Sequence, residues 1–405
     1  MREENEIETI MNNDRVTVSF AALIDFKENL DKSLLNSAWN RTRQLNSFLR
    51  GRWEKTIFKK FDYTDCAKLS QPEYRKSDCC HFKKQFDKIT QEYTFEKLNQ
   101  LPVPSHLVVF GSEKRVQFMI LAIHSLVDGK SMHNILNDLL FFYKNSQLNI
   151  FTGIDAIDSK IEDVPKPLTE LRPCFPEFSD KEKKYKAEFH KRLLNFKNVV
   201  PHQKFDGIEH GRPQNLKSTT TLGSGSKQGS KRLKLFCKEN GITIGTLLIA
   251  ATAFLNAKIM KSIEISKHLN IDVIYNLRPH LTEINSSVAC YIFSTGFCPA
   301  VLSHQTLLDI AKDMKDESSA KLDNSEHLMF PQLIKQFEQH GGEYKRILDQ
   351  NNGVCKYKSV SICFTKFKQI RSASQMSANS TLTSLTCLME YQLMKFSALE
   401  HAGIM

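Results

Sequence analysis

The sequence predicts mixed α/β layers arranged as two halves of similar size. Three observations carry this. Strand-like runs alternate with amphipathic helical runs on both sides of the middle of the chain, the pattern of helices packed on sheets. Val116–Ile123 is apolar at nearly every position, as a strand covered on both faces is. Asn149–Leu222 then interrupts the pattern with Pro165, Pro167, Pro173, Pro176, Pro201 and Pro213, which marks a crossover between two bodies. The expected organisation is an N-terminal subdomain over 1–160, a linker over 161–222 and a C-terminal subdomain over 223–405.

The elements follow in order. Val16–Ile24 is β-rich. Asp31 is placed to cap a helix whose face carries Leu34, Leu35, Ala38, Trp39, Thr42 and Leu45. Arg52–Gln100 has no clean period and reads as a surface excursion. His106–Phe110, a turn from Gly111 to Lys114 and Val116–Ile123 form a hairpin. After Gly129, one helical stripe carries Met132, Ile135, Leu136, Leu139, Leu140 and Tyr143. Within the linker, Ser179–Lys197 has helical character. The second half opens with helices over Ser226–Asn240 and Gly245–Lys258, and Ile271–Leu277 alternates as a strand does. Val288–Phe297 and Tyr357–Phe367 are further strands, and Arg371–Ser384 carries no usable period.

Composition narrows the class. Hydrophobic residues make up 41% and charged residues 25%, which excludes a wholly disordered or fibrous chain. The best apolar run, Leu247–Leu255, is far shorter than the roughly 18 residues of a membrane helix. The acidic start, Met1–Glu6, lacks the apolar core of a signal peptide. A cytoplasmic protein without a membrane span is expected. The 10 cysteines form no CxxC pair and read as reduced thiols. Cys79-Cys80-His81 reads as a solvated loop, and no metal is expected. The net charge of +11 attracts anions of several kinds. No helix-turn-helix, finger or aromatic RNA-binding run accompanies it, so nucleic acid is not expected as a partner.

The chemistry concentrates in Ile123-His124-Ser125-Leu126-Val127-Asp128-Gly129. A histidine ends a buried strand, and Asp128 and Gly129 turn the chain into a helix. Gly129 permits the sharp turn. An imidazole titrates near neutrality and suits general-base work on a hydroxyl or amine. The aspartate can order the loop or pair with a cation from elsewhere.

These residues reach a family. LAIHSLVDGKS resembles the active-site signature of the coenzyme A-dependent acyltransferase superfamily, which includes chloramphenicol acetyltransferase, alcohol acetyltransferases and the condensation domains of peptide synthetases. Leu34–Arg50, ending LNSFLR, is similar to the family's leucine-arginine helix end. Gly241-Ile242-Thr243 looks like the start of its second half, and Tyr275-Asn276-Leu277-Arg278-Pro279 like its asparagine-x-arginine strand end. The resemblance runs from about Val16 to about Phe367. It implies an α+β two-layer sandwich in each half, two chloramphenicol acetyltransferase-like subdomains forming a pseudo-dimer with a tunnel between them. It also implies His124 as general base and Asp128 paired with Arg278 to hold the loop. The resemblance further implies that no cofactor is bound, that acyl-CoA is the co-substrate and that the acceptor is a small alcohol or amine. The chain departs from the pattern in carrying Ile123 where many condensation domains have a first histidine. It also has Ser361-Ile362-Cys363-Phe364 where a serine-asparagine-x-glycine segment is common. A shortened second half is expected.

Around this centre, Ser294, Ser361 and Cys363 are candidates to line the tunnel. Lys231, Arg232 and Lys234 are candidates for coenzyme A phosphates, against the plainer reading of a solvated helix face. Gly223, Gly225 and Gly229 miss the dinucleotide pattern by one residue and read as a loop. Two other functions stay open: an inactive condensation-like scaffold, and a condensation enzyme fed by a carrier protein in trans.

Overall fold

The computed structural model describes residues 2–4, 6–13, 15–76, 82–111, 114–147, 164–167, 171, 180, 183–184, 187, 226–259, 267–268, 271–281, 288–297, 300–302, 304–324, 326, 360–363 and 382–392. The first half contains β1 (Arg2–Glu3), α1 (Glu6–Asn13), β2 (Thr17–Phe26), α2 (Lys32–Leu45), β3 (Gly51–Glu54), β4 (Ile57–Lys60), β5 (Glu73–Arg75), α3 (Phe82–Glu92), α4 (Phe95–Gln100), β6 (Ser105–Gly111), β7 (Arg115–Ile123) and α5 (Gly129–Gln147). There follow α6 (Lys227–Glu239), α7 (Ile244–Ile259), β8 (Lys267–His268), β9 (Ile271–Asn276), β10 (Ile292–Phe297), β11 (Ala300–Val301), α8 (Leu307–Asp323), β12 (Val360–Cys363) and β13 (Leu382–Gln392).

Local chemistry starts these helices where the sequence places them. The Asp31 carboxylate accepts from the Ser33 and Leu34 N–H groups and caps α2, satisfying donors a helix leaves unpaired. Ser226 caps α6 in the same way, and Thr306 and Asp309 cap α8 reciprocally.

The first sheet runs β13-β2-β7-β6-β5. Strand β7 is central, and every residue from Val116 to Ile123 is buried, so the continuous apolar run has its physical reason. Helices α2 and α5 pack against each other, and Phe20, Trp39, Phe48, Phe118 and Tyr143 share this core. A second sheet, β10-β9-β12, has β9 antiparallel to β10 and parallel to β12. It builds a separate core with α7 and α8 around Ala250, Ala253, Val273, Phe297, Ile310 and Met314.

The halves interlock. Leu277 and the stretch Val288–Ile292 belong to the core of the first half. Strand β13 pairs antiparallel with β2 along its length, so this part of 223–405 completes the first sheet and not the second. A crossing strand is therefore present in Leu382–Gln392, where the sequence showed no usable period up to Ser384.

Two further expectations change. Arg52–Gln100 is not a surface excursion. It folds into β3–β5, α3 and α4 and buries Phe86, Ile89, Tyr93 and Leu98. Its apolar residues are split among short elements and diluted by lysines, which hides their period. Val288–Phe297 is strand only from Ile292, because its first residues bend over the other half. Cys79–His81, Gly223, Gly225, nearly all of Ser179–Lys197 and the ends of Tyr357–Phe367 lie outside the described residues.

Gly51 opens β3 and pairs with Lys60 of β4 at close quarters. A Cβ there would lie 2.7 Å from the Lys59 carbonyl oxygen and against the Phe58 ring. Gly51→Ala is expected to cost about 1–3 kcal/mol, the range for overpacking, read as a lower urea midpoint.

Candidate active site

The site is built where β7 meets α5. The His124 N–H donates to the Val16 carbonyl at 2.8 Å, which extends the β2–β7 ladder by one residue. The chain then turns, and every residue from His124 to Gly129 is buried. Asp128 caps α5. Its Oδ1 accepts from the Ser131 N–H at 2.8 Å, while its carbonyl accepts from the Met132 N–H at 3.0 Å. The sequence HxxxDG thus folds as strand, turn and capped helix.

Asp128 is fully buried, and its other oxygen faces the second half. Oδ2 accepts from Arg278 Nη1 at 2.7 Å and from the Tyr291 N–H at 2.9 Å. Arg278 Nη1 also donates to Asn276 Oδ1 at 3.0 Å. Its Nη2 donates to Ser131 Oγ at 2.9 Å and to the Ala289 carbonyl at 2.8 Å. The guanidinium lies over the Tyr291 ring. Ser131 Oγ accepts from the Ala289 N–H at 3.0 Å, and lies within donating distance of both Asp128 Oδ1 and the Ala289 carbonyl. Asp128 and Ser131 come from the first half; Asn276, Arg278, Ala289 and Tyr291 come from the second. Burial acts to raise the Asp128 carboxyl. The Arg278 charge and the hydrogen bonds from Arg278 and Ser131 outweigh it and hold the group below the usual aspartate value. An ionised carboxylate held by Arg278 and by the Ser131 and Tyr291 N–H groups is fixed in place as an anion.

His124 has the opposite environment. It is 3% exposed. Burial pulls its imidazole below the ordinary value of 6.5, against ring hydrogen bonds to backbone at His124 and Val127 and the charge of Asp128. The ring is therefore neutral at pH 7. Beside Nδ1 lies Cys290 Sγ, at 3.9 Å.

The other candidate residues fall in three places. Gly129 is buried at the start of α5. Ser294 on β10 and Cys363 on β12 both pair with Ile274 of β9, while Ser361 pairs with Asp272. These positions flank one central strand, and Ile274 packs on the first-half core. Lys231, Arg232 and Lys234 are exposed on α6, which lies against α7 in the second half. Two further contributors carry no local signal in the sequence. Helix α1 reaches the loop, where Ser125 Oγ donates to Asn12 Oδ1 at 2.6 Å. The same segment buries an Arg2–Glu8 ion pair, whose charges act on Cys290 and Tyr291. An acidic N-terminus looks solvated in one dimension, and only the fold turns it inward.

A buried histidine held between two interlocked α/β halves is the layout of the chloramphenicol acetyltransferase-like pseudo-dimer fold. Solved structures with this fold bear that out. The EpoB NRPS cyclization-docking bidomain from Sorangium cellulosum is similar at 12% identity and a TM-score of 0.61, covering 96% of this chain and 76% of that one. The first condensation domain of the calcium-dependent antibiotic synthetase is similar at 11% identity and 0.55, covering 96% and 84%. Polyketide synthase associated protein 5 from Mycobacterium tuberculosis is similar at 14% identity and 0.51, covering 81% and 74%. No family model and no curated protein sequence matches the chain. The chain has the condensation-domain fold, and at these identities the likeness is one of fold. Among the described residues, no helix is long and apolar enough to cross a membrane.

Asp128→Asn removes the charge opposite a nearly buried Arg278, whose side chain is 11% exposed. It is expected to cost about 3–5 kcal/mol of stability, as breaking a buried pair does, measured by urea or thermal unfolding. A loss under about 0.5 kcal/mol, the level of an ordinary surface substitution, contradicts the ion-pair reading.

Proposed function

We propose that the protein is an acyltransferase, moving an acyl group from a coenzyme A thioester to the hydroxyl or amine of a small acceptor. The observation that supports this most is His124: a buried imidazole at the end of β7, kept neutral at pH 7 by burial. In the proposed reaction Nε2 takes the proton of the acceptor as its oxygen or nitrogen attacks the thioester carbonyl carbon. The tetrahedral intermediate collapses, the C–S bond breaks, and the imidazolium returns the proton to the leaving thiolate. No bond to the enzyme forms. Asp128 and Arg278 order the loop and take no part in proton transfer.

In this reading the substrates meet in a tunnel between the halves. Ser294, Ser361 and Cys363 would line it from β10 and β12, and the exposed Lys231, Arg232 and Lys234 of α6 would contact the phosphates of the donor. A second reading has the same chemistry with the pantetheine arm on a carrier protein acting in trans. The likeness in fold to domains of the EpoB NRPS and the calcium-dependent antibiotic synthetase favours it.

Release of free thiol from a panel of acyl-CoAs and carrier-bound thioesters, with alcohols and amines as acceptors, tests both readings. Turnover is expected, with His124→Ala lowering it by about 10²–10⁴-fold, the usual contribution of a general base. Absence of turnover with every donor leaves the inactive scaffold as the correct reading. Native turnover in His124→Ala removes the base assignment.

The pH profile carries a sign. His124 acts deprotonated, and its imidazole lies below 6.5. The rate kcat/KM is therefore expected to rise with pH through a limb centred below the ordinary imidazole value of 6.5 and to level off above it. A limb centred above pH 7 contradicts the burial argument.

A further inference from the structure

We propose that Glu4, which follows β1, and Asn12 of α1 are positioning residues for the loop that carries His124, joined to it by a hydrogen-bonded relay from Glu4 through Asn12 to Ser125. The inference rests on the reading of His124 as the base and extends the site to a segment outside the HxxxDG motif.

Three contacts make the relay. Ser125, the residue after His124, is fully buried, and its Oγ donates to Asn12 Oδ1 at 2.6 Å. Asn12 Nδ2 donates to Glu4 Oε1. Thr9 Oγ1 donates to the other oxygen, Glu4 Oε2, at 3.3 Å. A carboxylate accepts and does not donate, so Glu4 sets the face that Asn12 shows to the loop: the amide N–H goes to the carboxylate and the amide oxygen to the hydroxyl. A buried hydroxyl is costly without a partner. The conformation of the loop at Ser125 is therefore tied to the orientation of the Asn12 amide.

The segment that carries the relay is anchored at both ends. The Glu4 N–H donates to the Thr56 carbonyl, between β3 and β4, at 2.9 Å, and β1 pairs with β4. The Arg2 guanidinium lies over the Phe48 and Trp53 rings and pairs with the buried Glu8. At the other end, the Val16 N–H donates to the Met11 carbonyl at 3.0 Å, and the His124 N–H donates to the Val16 carbonyl at 2.8 Å. Helix α1 thus reaches the loop twice, through Val16 to the His124 backbone and through Asn12 to the Ser125 side chain. Arg278 and Tyr291 hold the Asp128 end of this loop from the second half. The relay holds the His124 end from the first.

Exchanging the amide and the carboxylate tests this. In Asn12→Asp two carboxylates face each other and repel, which breaks the relay. In the double variant Glu4→Gln with Asn12→Asp, the amide now on the Glu4 side donates to the carboxylate now on the Asn12 side. That carboxylate still accepts from Ser125, so the relay is restored with its charge moved. Backbone hydrogen–deuterium exchange across residues 121–131, thioester turnover and melting temperature are measured on the full chain. Asn12→Asp is expected to speed exchange in that stretch by about two- to tenfold, the worth of one hydrogen bond. It is also expected to lower kcat by about five- to hundredfold with KM unchanged, as misplacing a catalytic group does. The double variant is expected to return both towards native. Asn12→Ala, which removes both contacts of the amide, is expected to show the same faster exchange and carries the test if Asn12→Asp does not fold. Native exchange or native kcat in Asn12→Asp, even with a lowered melting temperature, overturns the proposal, as does a double variant no better than the single one. Failure of the base reading is separate: it shows as native turnover in His124→Ala, and the exchange rates are read without reference to activity.

Discussion

The hydrogen-bonded ion pair between Asp128 and Arg278 is the interaction on which the rest of the site depends. Taking a carboxylate and a guanidinium out of water is costly, and mutual attraction offsets the cost only when the remaining lone pairs and protons are also satisfied. Here the carboxylate meets that condition, with Ser131, Arg278 and Tyr291 supplying its donors. The consequence is architectural. The loop after β7 has its low-energy form only when the second half supplies Arg278 and the Val288–Ile292 segment. Two bodies that share a core and a strand in this way cannot be treated as independent domains.

The same burial has opposite effects on the two titratable groups of the motif. Asp128 is surrounded by donors and a positive charge and stays ionised. His124, four residues earlier, is held below the ordinary imidazole value by burial and stays uncharged. Separation of protonation states by environment is how a site prepares one group to act and another to hold. The spacing in HxxxDG places both residues on one turn.

Much of this was legible in the sequence because its signals are local. The alternation of Ile271–Leu277, the capping aspartate at 31 and the unbroken apolar run of β7 follow from short-range periodicity and hydrogen bonding. The His124–Asp128–Arg278 relation, 150 residues apart in its long arm, was legible only through resemblance to a family, since no spacing rule links such distant positions. The rest depends on tertiary contacts. Nothing in an acidic N-terminal stretch announces that Asn12 will meet Ser125, or that Cys290 will face His124. The strand Leu382–Gln392 takes its place from the free edge of β2 and not from its own pattern. The same reason hid α3 and α4, whose apolar residues make a core only together with β2 and β7.

A double-mutant cycle on Asp128→Asn and Arg278→Gln, followed by urea unfolding of the full chain, tests the central claim most directly. The ion pair predicts non-additivity: the double variant should be more stable than the sum of the single losses implies, by about 1–3 kcal/mol, the range for residues in one network. Additivity within about 0.5 kcal/mol, the behaviour of independent sites, would show that the halves are not joined through this pair.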